Sequence, residues 1–213
     1  MFWLTEDIQF PPYDFTSKEG IIALGGDLST DRLVYAYKNG IFPWFSEGEP
    51  IVWYCPVQRM VLFPNQIKIS KSMRKVLKDS SYRITENNAF EEVIFQCKTI
   101  KRNDNLGTWI TNDMEKAYIS LHKKGIAKSI EVWKENKLVG GLYGVEVNGV
   151  FCGESMFSKR SNTSKLAFIY LATRKNYRLI DCQVYNSHLA SLGAQEIDRA
   201  LFVKILKQNK GSH

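Results

Sequence analysis

Histidine and cysteine are scarce in this chain, and their scarcity excludes much. Three histidines, with His213 terminal, and four cysteines without a CxxC pair leave no cluster at metal-ligand spacing, so no metal is expected. Cys55, Cys97, Cys152 and Cys182 lie far apart and read as buried, reduced thiols of a cytosolic protein. No apolar run approaches about eighteen residues, which argues against a membrane span. The start, Met1-Phe2-Trp3-Leu4-Thr5-Glu6-Asp7, has no basic stretch followed by an apolar core, so no secretory leader is expected. A cytoplasmic location is the resulting expectation. Internal repeats and low-complexity tracts are also missing.

Acid is in the minority. Against 22 acidic side chains stand 29 basic ones, giving a net charge of +7 and a pI near 9.1. That balance favours a polyanionic partner, although many basic proteins bind nothing acidic. At 213 residues the chain can bury a full core and hold one large or two smaller domains.

The first part, residues 1–57, is punctuated by Pro11-Pro12, Gly25-Gly26, Gly40, Pro43, Gly48, Pro50 and Pro56. Leu33, Ala36 and Tyr37 recur there at helical spacing, with Ser29 as N-cap and Gly40 as stop. This predicts a small α+β unit of limited core leaning on the rest of the chain. In residues 58–213 the periodicities lengthen. Met60–Phe63 reads as a strand, and residues 70–78 and 111–124 read as helices. Ser129–Trp133, Leu138–Val147 and Val150–Glu154 read as successive strands, turned at Glu135-Asn136-Lys137 and at the hairpin signal Asn148-Gly149. A helix over 163–175, a strand over 179–184 and a helix near 198–207 complete the series. The fold class is α+β, with helices packed on a mostly antiparallel sheet.

Four places could carry chemistry. Phe151-Cys152-Gly153-Glu154-Ser155-Met156-Phe157-Ser158 and Leu179-Ile180-Asp181-Cys182-Gln183-Val184 each set an acid or amide inside an apolar strand. A buried carboxylate is unfavourable unless paired, hydrogen-bonded or used. Asp181 and Gln183, at i and i+2, share one face of a strand with Cys182 on the other. They suit either a buried structural pair or a couple that orients a nucleophile and a carbonyl. A cysteine nucleophile, Cys152 or Cys182, needs a nearby base, for which His188 is the candidate.

Gly140-Gly141-Leu142-Tyr143-Gly144 would face Phe151–Glu154. Glycines inside strands mark either close approach of a ligand or a tightly packed bulge. On the first reading Leu142 and Phe151 line an apolar pocket with Glu154 at its rim. Lys71, Arg74, Lys75 and Lys78 fall on one helical face, Lys68 extends it, and no acid interrupts residues 68–78. Such a stripe is either a solvated face or a contact for a nucleic-acid backbone. Trp44 and Trp109 stand beside Pro43 and Gly107, where an indole covers a core edge or stacks on a nucleobase.

Taken together, these segments resemble the leucyl/phenylalanyl-tRNA–protein transferase family. The resemblance rests on Ile22-Ala23-Leu24-Gly25-Gly26-Asp27-Leu28-Ser29, Gly40-Ile41-Phe42-Pro43-Trp44-Phe45, Gly107-Thr108-Trp109-Ile110-Thr111, Ser129-Ile130-Glu131-Val132-Trp133, the two strands bearing Glu154 and Asp181, and Ala190-Ser191-Leu192-Gly193-Ala194. They run in order across nearly the whole chain. The resemblance implies two domains, the larger with a Gcn5-related acetyltransferase-like fold. It implies transfer of Leu or Phe, and less readily Met, from aminoacyl-tRNA to proteins beginning with Lys or Arg. The product is marked for degradation by the N-end rule pathway. By position, Asp181, Gln183 and Glu154 match catalytic residues, and Leu142, Phe151 and Gly153 the side-chain pocket. Met156 joins that wall, and Phe168 is the candidate for its far side because residues 172–178 lack the Gly-Gly turn of relatives. Trp44 and Trp109 match aromatics that hold the terminal adenosine; Lys71, Lys75 and Lys78 match basic positions facing the tRNA acceptor stem, and Arg74 on the same face is expected to join them. A monomer without cofactor is expected.

Two rivals remain. An acyl-CoA-dependent N-acetyltransferase cradles pyrophosphate with a Gly-rich loop, but Ser158–Lys165 contains no glycine. A non-catalytic RNA-binding module would leave Asp181, Gln183 and the pocket unused.

Overall fold

The computed structural model describes residues 1–100 and 109–208. Gly107-Thr108 of the tryptophan motif and the terminal His213 lie outside the described residues.

The N-terminal part folds as the short strands β1 (Trp3–Leu4), β2 (Ile21–Gly25), β3 (Phe42–Pro43) and β4 (Val52–Tyr54), in sheet order β1-β2-β4-β3. Between β2 and β3 runs α1 (Thr30–Lys38). Its entry is written in Gly25-Gly26-Asp27-Leu28-Ser29. Both glycines take positive φ, and Asp27 accepts from the Ser29 N–H at 2.7 Å. Ser29 then caps the helix, accepting from Arg32 N–H at 3.3 Å. Gly40 ends it at φ +70°, where the ring of Phe202 leaves no room for a Cβ.

The larger part is one sheet of β5 (Gln58–Leu62), β6 (Tyr82–Glu86), β7 (Ala127–Lys134), β8 (Lys137–Val147), β9 (Val150–Ser158), β10 (Leu179–Gln183) and β11 (Gln195–Asp198). Their order is β11-β5-β10-β9-β8-β7-β6, antiparallel throughout except for the β9–β10 pair. Positive φ at Glu135, Asn136, Asn148 and Gly149 builds the two tight turns expected from those residues. The helices are α2 (Lys71–Leu77), α3 (Phe90–Thr99), α4 (Asn112–Lys123), α5 (Thr163–Arg174), α6 (Ser187–Ser191) and α7 (Arg199–Lys207). One apolar cluster joins α1, α3, α4 and α7 to the small sheet and one face of the large one. The other face packs on α5, α6 and α2. The α+β class therefore holds, and the N-terminal part shares its core with the larger part.

Residues 79–100 carry no element in the sequence reading, yet they form β6 and α3. Phe90, Val93, Ile94 and Cys97 are buried at i, i+3, i+4 and i+7, a stripe legible from spacing. For the glycines of β8 the structure selects the packing alternative. A Cβ on Gly140 would sit 2.4 Å from Thr163 Oγ1, one on Gly141 2.7 Å from the Ile130 carbonyl, and one on Gly144 2.2 Å from the Cys152 carbonyl. These three glycines serve packing against protein atoms, not approach of a ligand.

Candidate active site

The parallel pair β9–β10 runs for three residues, ending at Asp181 opposite Cys152. Beyond it both strands bulge. On β9 the register against β8 shifts between Gly153 and Ser155, leaving Glu154 as the extra residue. On β10 the register against β5 shifts between Asp181 and Gln183, and Gln183 takes φ +64°. Regular i,i+2 alternation therefore does not describe this strand. The splay opens a cavity of about 450 Å³ between the strands, α5, α6 and the loop carrying Trp44.

Glu154, Asp181 and Gln183 all line it, as do Trp44, Trp109, Leu142, Phe151, Gly153, Met156 and Phe168. Every residue assigned to catalysis or the side-chain pocket thus borders one space. Leu171, Ile180 and Leu189 add to the apolar wall, and Phe168 from α5 does stand in it. At Gly153 an added Cβ would meet only ordinary contacts, 3.4 Å from the Asp181 carbonyl. Of these strand glycines, it is the one whose missing side chain enlarges the cavity. Lys71, Arg74, Lys75 and Lys78 do not border the space. Lys71, Arg74 and Lys75 are exposed on α2 and Lys78 at its C-cap, while Val76 on the same helix packs into the cluster holding Phe168 and Leu171. The basic stripe therefore lies on the face of the sheet that also carries α5.

Glu154 is buried, with only 9% of its surface exposed. Tyr37 of α1 donates to its Oε1 at 2.7 Å, Tyr118 of α4 to its Oε2 at 3.0 Å, and Gln183 Nε2 to Oε1 at 2.9 Å. The two tyrosine oxygens also lie in hydrogen-bond contact with one another, so three contacts share two hydroxyl protons, and when both are donated to Glu154 none is left between the phenols. Burial pushes the Glu154 carboxyl up to about 7; the Tyr37 and Tyr118 bonds oppose this, the Asp181 charge adds to it, and Arg59 lowers it. Burial, then the Glu154 charge, drives both phenols well above their ordinary value, so they remain donors. The carboxylate is thus a floor contact, not the rim group the sequence suggests.

Asp181 is fully buried against Arg59 of β5. Arg59 Nε donates to Oδ1 at 2.7 Å and Nη2 to Oδ2 at 2.6 Å. Oδ1 also accepts from the Gln183 backbone N–H at 2.8 Å. Asp181 therefore fixes Gln183 through its backbone. Cys152 and Cys182 sit beside Asp181, and burial raises both thiols well above their ordinary range. His188 borders the cavity, but among the described residues no bond joins it to either sulfur. Neither cysteine is an activated nucleophile.

Arg59, Tyr37 and Tyr118 are the residues missed from the sequence. Arg59 carries the same signal as Asp181, a charge inside the apolar strand Gln58-Arg59-Met60-Val61-Leu62.

An apolar chamber with a buried carboxyl and a carboxamide bonded to it is the kind of concave, mostly apolar site that takes a small apolar group of a substrate. Two family models match: "Leucyl/phenylalanyl-tRNA protein transferase" over residues 61–207, and the N-terminal domain of the same family over residues 26–57. A leucyl/phenylalanyl-tRNA–protein transferase of Flavobacterium johnsoniae is 58% identical over 210 residues, covering 97% of this chain and 99% of that one. One of Yersinia enterocolitica is 51% identical, covering 96% and 87%. A solved GCN5-related N-acetyltransferase from Kribbella flavida is 7% identical with a TM-score of 0.36, covering 76% of this chain and 58% of that one. So distant a likeness carries no argument. The chain belongs to the leucyl/phenylalanyl-tRNA–protein transferase family, and is an aminoacyltransferase acting from tRNA to protein.

Proposed function

We propose that this enzyme moves Leu or Phe, and less readily Met, from aminoacyl-tRNA to the α-amine of proteins beginning with Lys or Arg. The product would be marked for degradation by the N-end rule pathway, in the cytoplasm, by a monomer. The observation that carries the chemistry is the Glu154–Gln183 contact at the floor of an apolar chamber. Residues 1–57 and 58–213 are proposed as the two domains. Among the described residues no helix is long and apolar enough to cross a membrane.

The aminoacyl side chain fits against Leu142, Phe151, Gly153, Met156 and Phe168. Trp44, exposed at 42%, and Trp109 offer ring faces to the terminal adenosine. Lys71, Arg74, Lys75 and Lys78 contact the phosphate backbone. An ester already carries the driving force for amide formation, so the chemistry calls for no cofactor. Orientation supplies much of the rate, roughly 7–11 kcal/mol in favourable cases. The acceptor α-amine, with a reference pKa of about 7.7–8.0, is partly neutral near pH 7. Its nitrogen attacks the ester carbonyl, the C–N bond forms, and the bond to the ribose oxygen breaks. Glu154, ionised in part near neutrality, takes the ammonium proton and returns it to the departing ribose oxygen, which leaves as a hydroxyl. One Gln183 Nε2 hydrogen holds Glu154 while the second remains to polarise the carbonyl.

The test is incubation with radiolabelled Leu-tRNA or Phe-tRNA and an Arg-initiated polypeptide, with acetyl-CoA in a parallel tube. Label moving to the polypeptide supports the reading. Acetylation, or binding without transfer, refutes it. Retention of near-wild-type transfer by both Gln183→Ala and Glu154→Gln would overturn the residue assignment.

A further inference from the structure

We propose that Arg59 is a positioning residue for this transfer: held between two phenylalanine rings, it clamps Asp181, which locks Gln183 in the conformation that aims its carboxamide at Glu154. The inference rests on the proposed function and deepens it.

The clamp can be followed atom by atom. Arg59 is 1% exposed, and its guanidinium carbon lies 4.6 Å from the ring centroids of both Phe42 and Phe202. Those rings come from β3 and α7, at opposite ends of the chain, and they fix the plane of the fork. The fork matches the two Asp181 oxygens at 2.7 and 2.6 Å. With both oxygens accepting from Arg59 and one also from the Gln183 N–H, Asp181 is filled as an anion. It serves as an anchor and not as a base. Gln183 needs that anchor because a non-glycine residue at φ +64° sits in a sparsely populated region. The Asp181–Gln183 N–H bond is what holds it there.

The clamp also sets the field at the floor of the site. Charged or titratable groups around Glu154 are Tyr37 of α1, Tyr118 of α4, Cys152 of its own strand, Asp181 of β10 and Arg59 of β5. The Asp181 charge raises the Glu154 carboxyl and the Arg59 charge lowers it.

The full chain, Phe-tRNA and an Arg-initiated polypeptide test the proposal by steady-state kinetics against pH. Arg59→Lys keeps the charge but loses the fork. It is expected to lower kcat at least about tenfold with KM for Phe-tRNA within about twofold, leaving the acidic limb of the pH profile in place. Asp181→Asn removes the anion while Arg59 stays, so the acidic limb of its residual activity moves to lower pH. A purely structural role would reduce folded protein without shifting that limb. If Arg59→Lys does not fold, Phe202→Leu, which strips one ring from the sandwich, is expected to lower kcat about threefold or more with KM unchanged. A folded Arg59→Lys or Phe202→Leu protein with wild-type kcat, or an unmoved limb in Asp181→Asn, overturns the proposal. Wild-type protein that fails to transfer sinks the functional reading and this inference with it. Active wild type beside a silent Arg59 sinks the inference alone.

Discussion

Replacing Glu154 with Gln is expected to exchange activity for stability, and the exchange depends on pH. The Glu154 carboxyl, ordinarily near 4.5, is pushed up to about 7, first of all by burial. In the unfolded chain it ionises near its ordinary value. Between those two pH values the folded protein holds a proton that the unfolded chain has released. The folded state is therefore least penalised below about pH 4.5 and loses stability as pH rises toward 7. Above that the penalty levels off at about 3 kcal/mol. Gln cannot ionise, so the variant escapes it. Against this stand the bonds from Tyr37 and Tyr118, each donated to its own carboxylate oxygen. A carboxamide offers one accepting oxygen, and the mismatch removes about 1 kcal/mol. A net gain of about 1–2 kcal/mol at pH 8 is expected, or a Tm several degrees higher, with no gain or a slight loss at pH 5. Thermal unfolding followed by circular dichroism at both pH values measures it, with transfer assayed in parallel and expected to fall by about 100-fold or more. An offset from wild type that is the same at pH 5 and pH 8 refutes the reasoning, because only a titrating buried carboxyl makes it vary.

Leu142→Ala should widen the chamber opposite Met156 and move the Leu:Phe preference toward Phe by about tenfold, read from competition between the two charged tRNAs; an unchanged ratio removes Leu142 from the wall. Replacing Lys71, Lys75 and Lys78 together with Gln should weaken tRNA binding and reduce the slope of log affinity against log salt by about 2–3, whereas an unaltered slope takes α2 out of the interface. Gly140→Ala is expected to destabilise the protein by about 1–3 kcal/mol in urea unfolding, since its Cβ would strike Thr163; wild-type stability would mean that α5 gives way easily. Gly153→Ala, by contrast, should fold normally and transfer a bulky residue less well than wild type, because its methyl adds to the chamber wall without striking backbone.

Much of this was legible in the residues. Ser29 announces a helix, and this cap accepts the expected backbone bond; Ser70 and Thr111 cap α2 and α4 in the same way, though the sequence reading does not single them out. Asn148-Gly149 sets the β8–β9 turn and the register as far as Gly144 opposite Gly153; the bulge at Glu154 then moves Leu142 opposite Met156. Asp181, Gln183 and Glu154 stood out because acids and amides in apolar strands need a reason. The resemblance carried the assignment of their roles. Periodicity could not supply the two bulges. A period of two assumes an unbroken ladder, and a single extra residue at Glu154 or a left-handed Gln183 reverses which way everything beyond it points.

The partners of the buried charges were hidden for a different reason. Arg59 and Asp181 stand 122 residues apart in sequence, as Tyr37 and Glu154 stand 117 apart. A carboxylate inside a strand implies that a cation or a set of donors exists somewhere, but not on which element. Here the answer was divided. Asp181 received the cation, and Glu154 received two phenols and an amide. That division separates the two acids chemically. The one bonded to arginine holds the backbone, and the one given only neutral donors in a desolvated floor is left near the pH at which a proton can be taken and returned. Two carboxylates a few residues from the same strand junction thus acquire opposite duties from their neighbours alone, and only the contacts, not the acids themselves, tell the two apart.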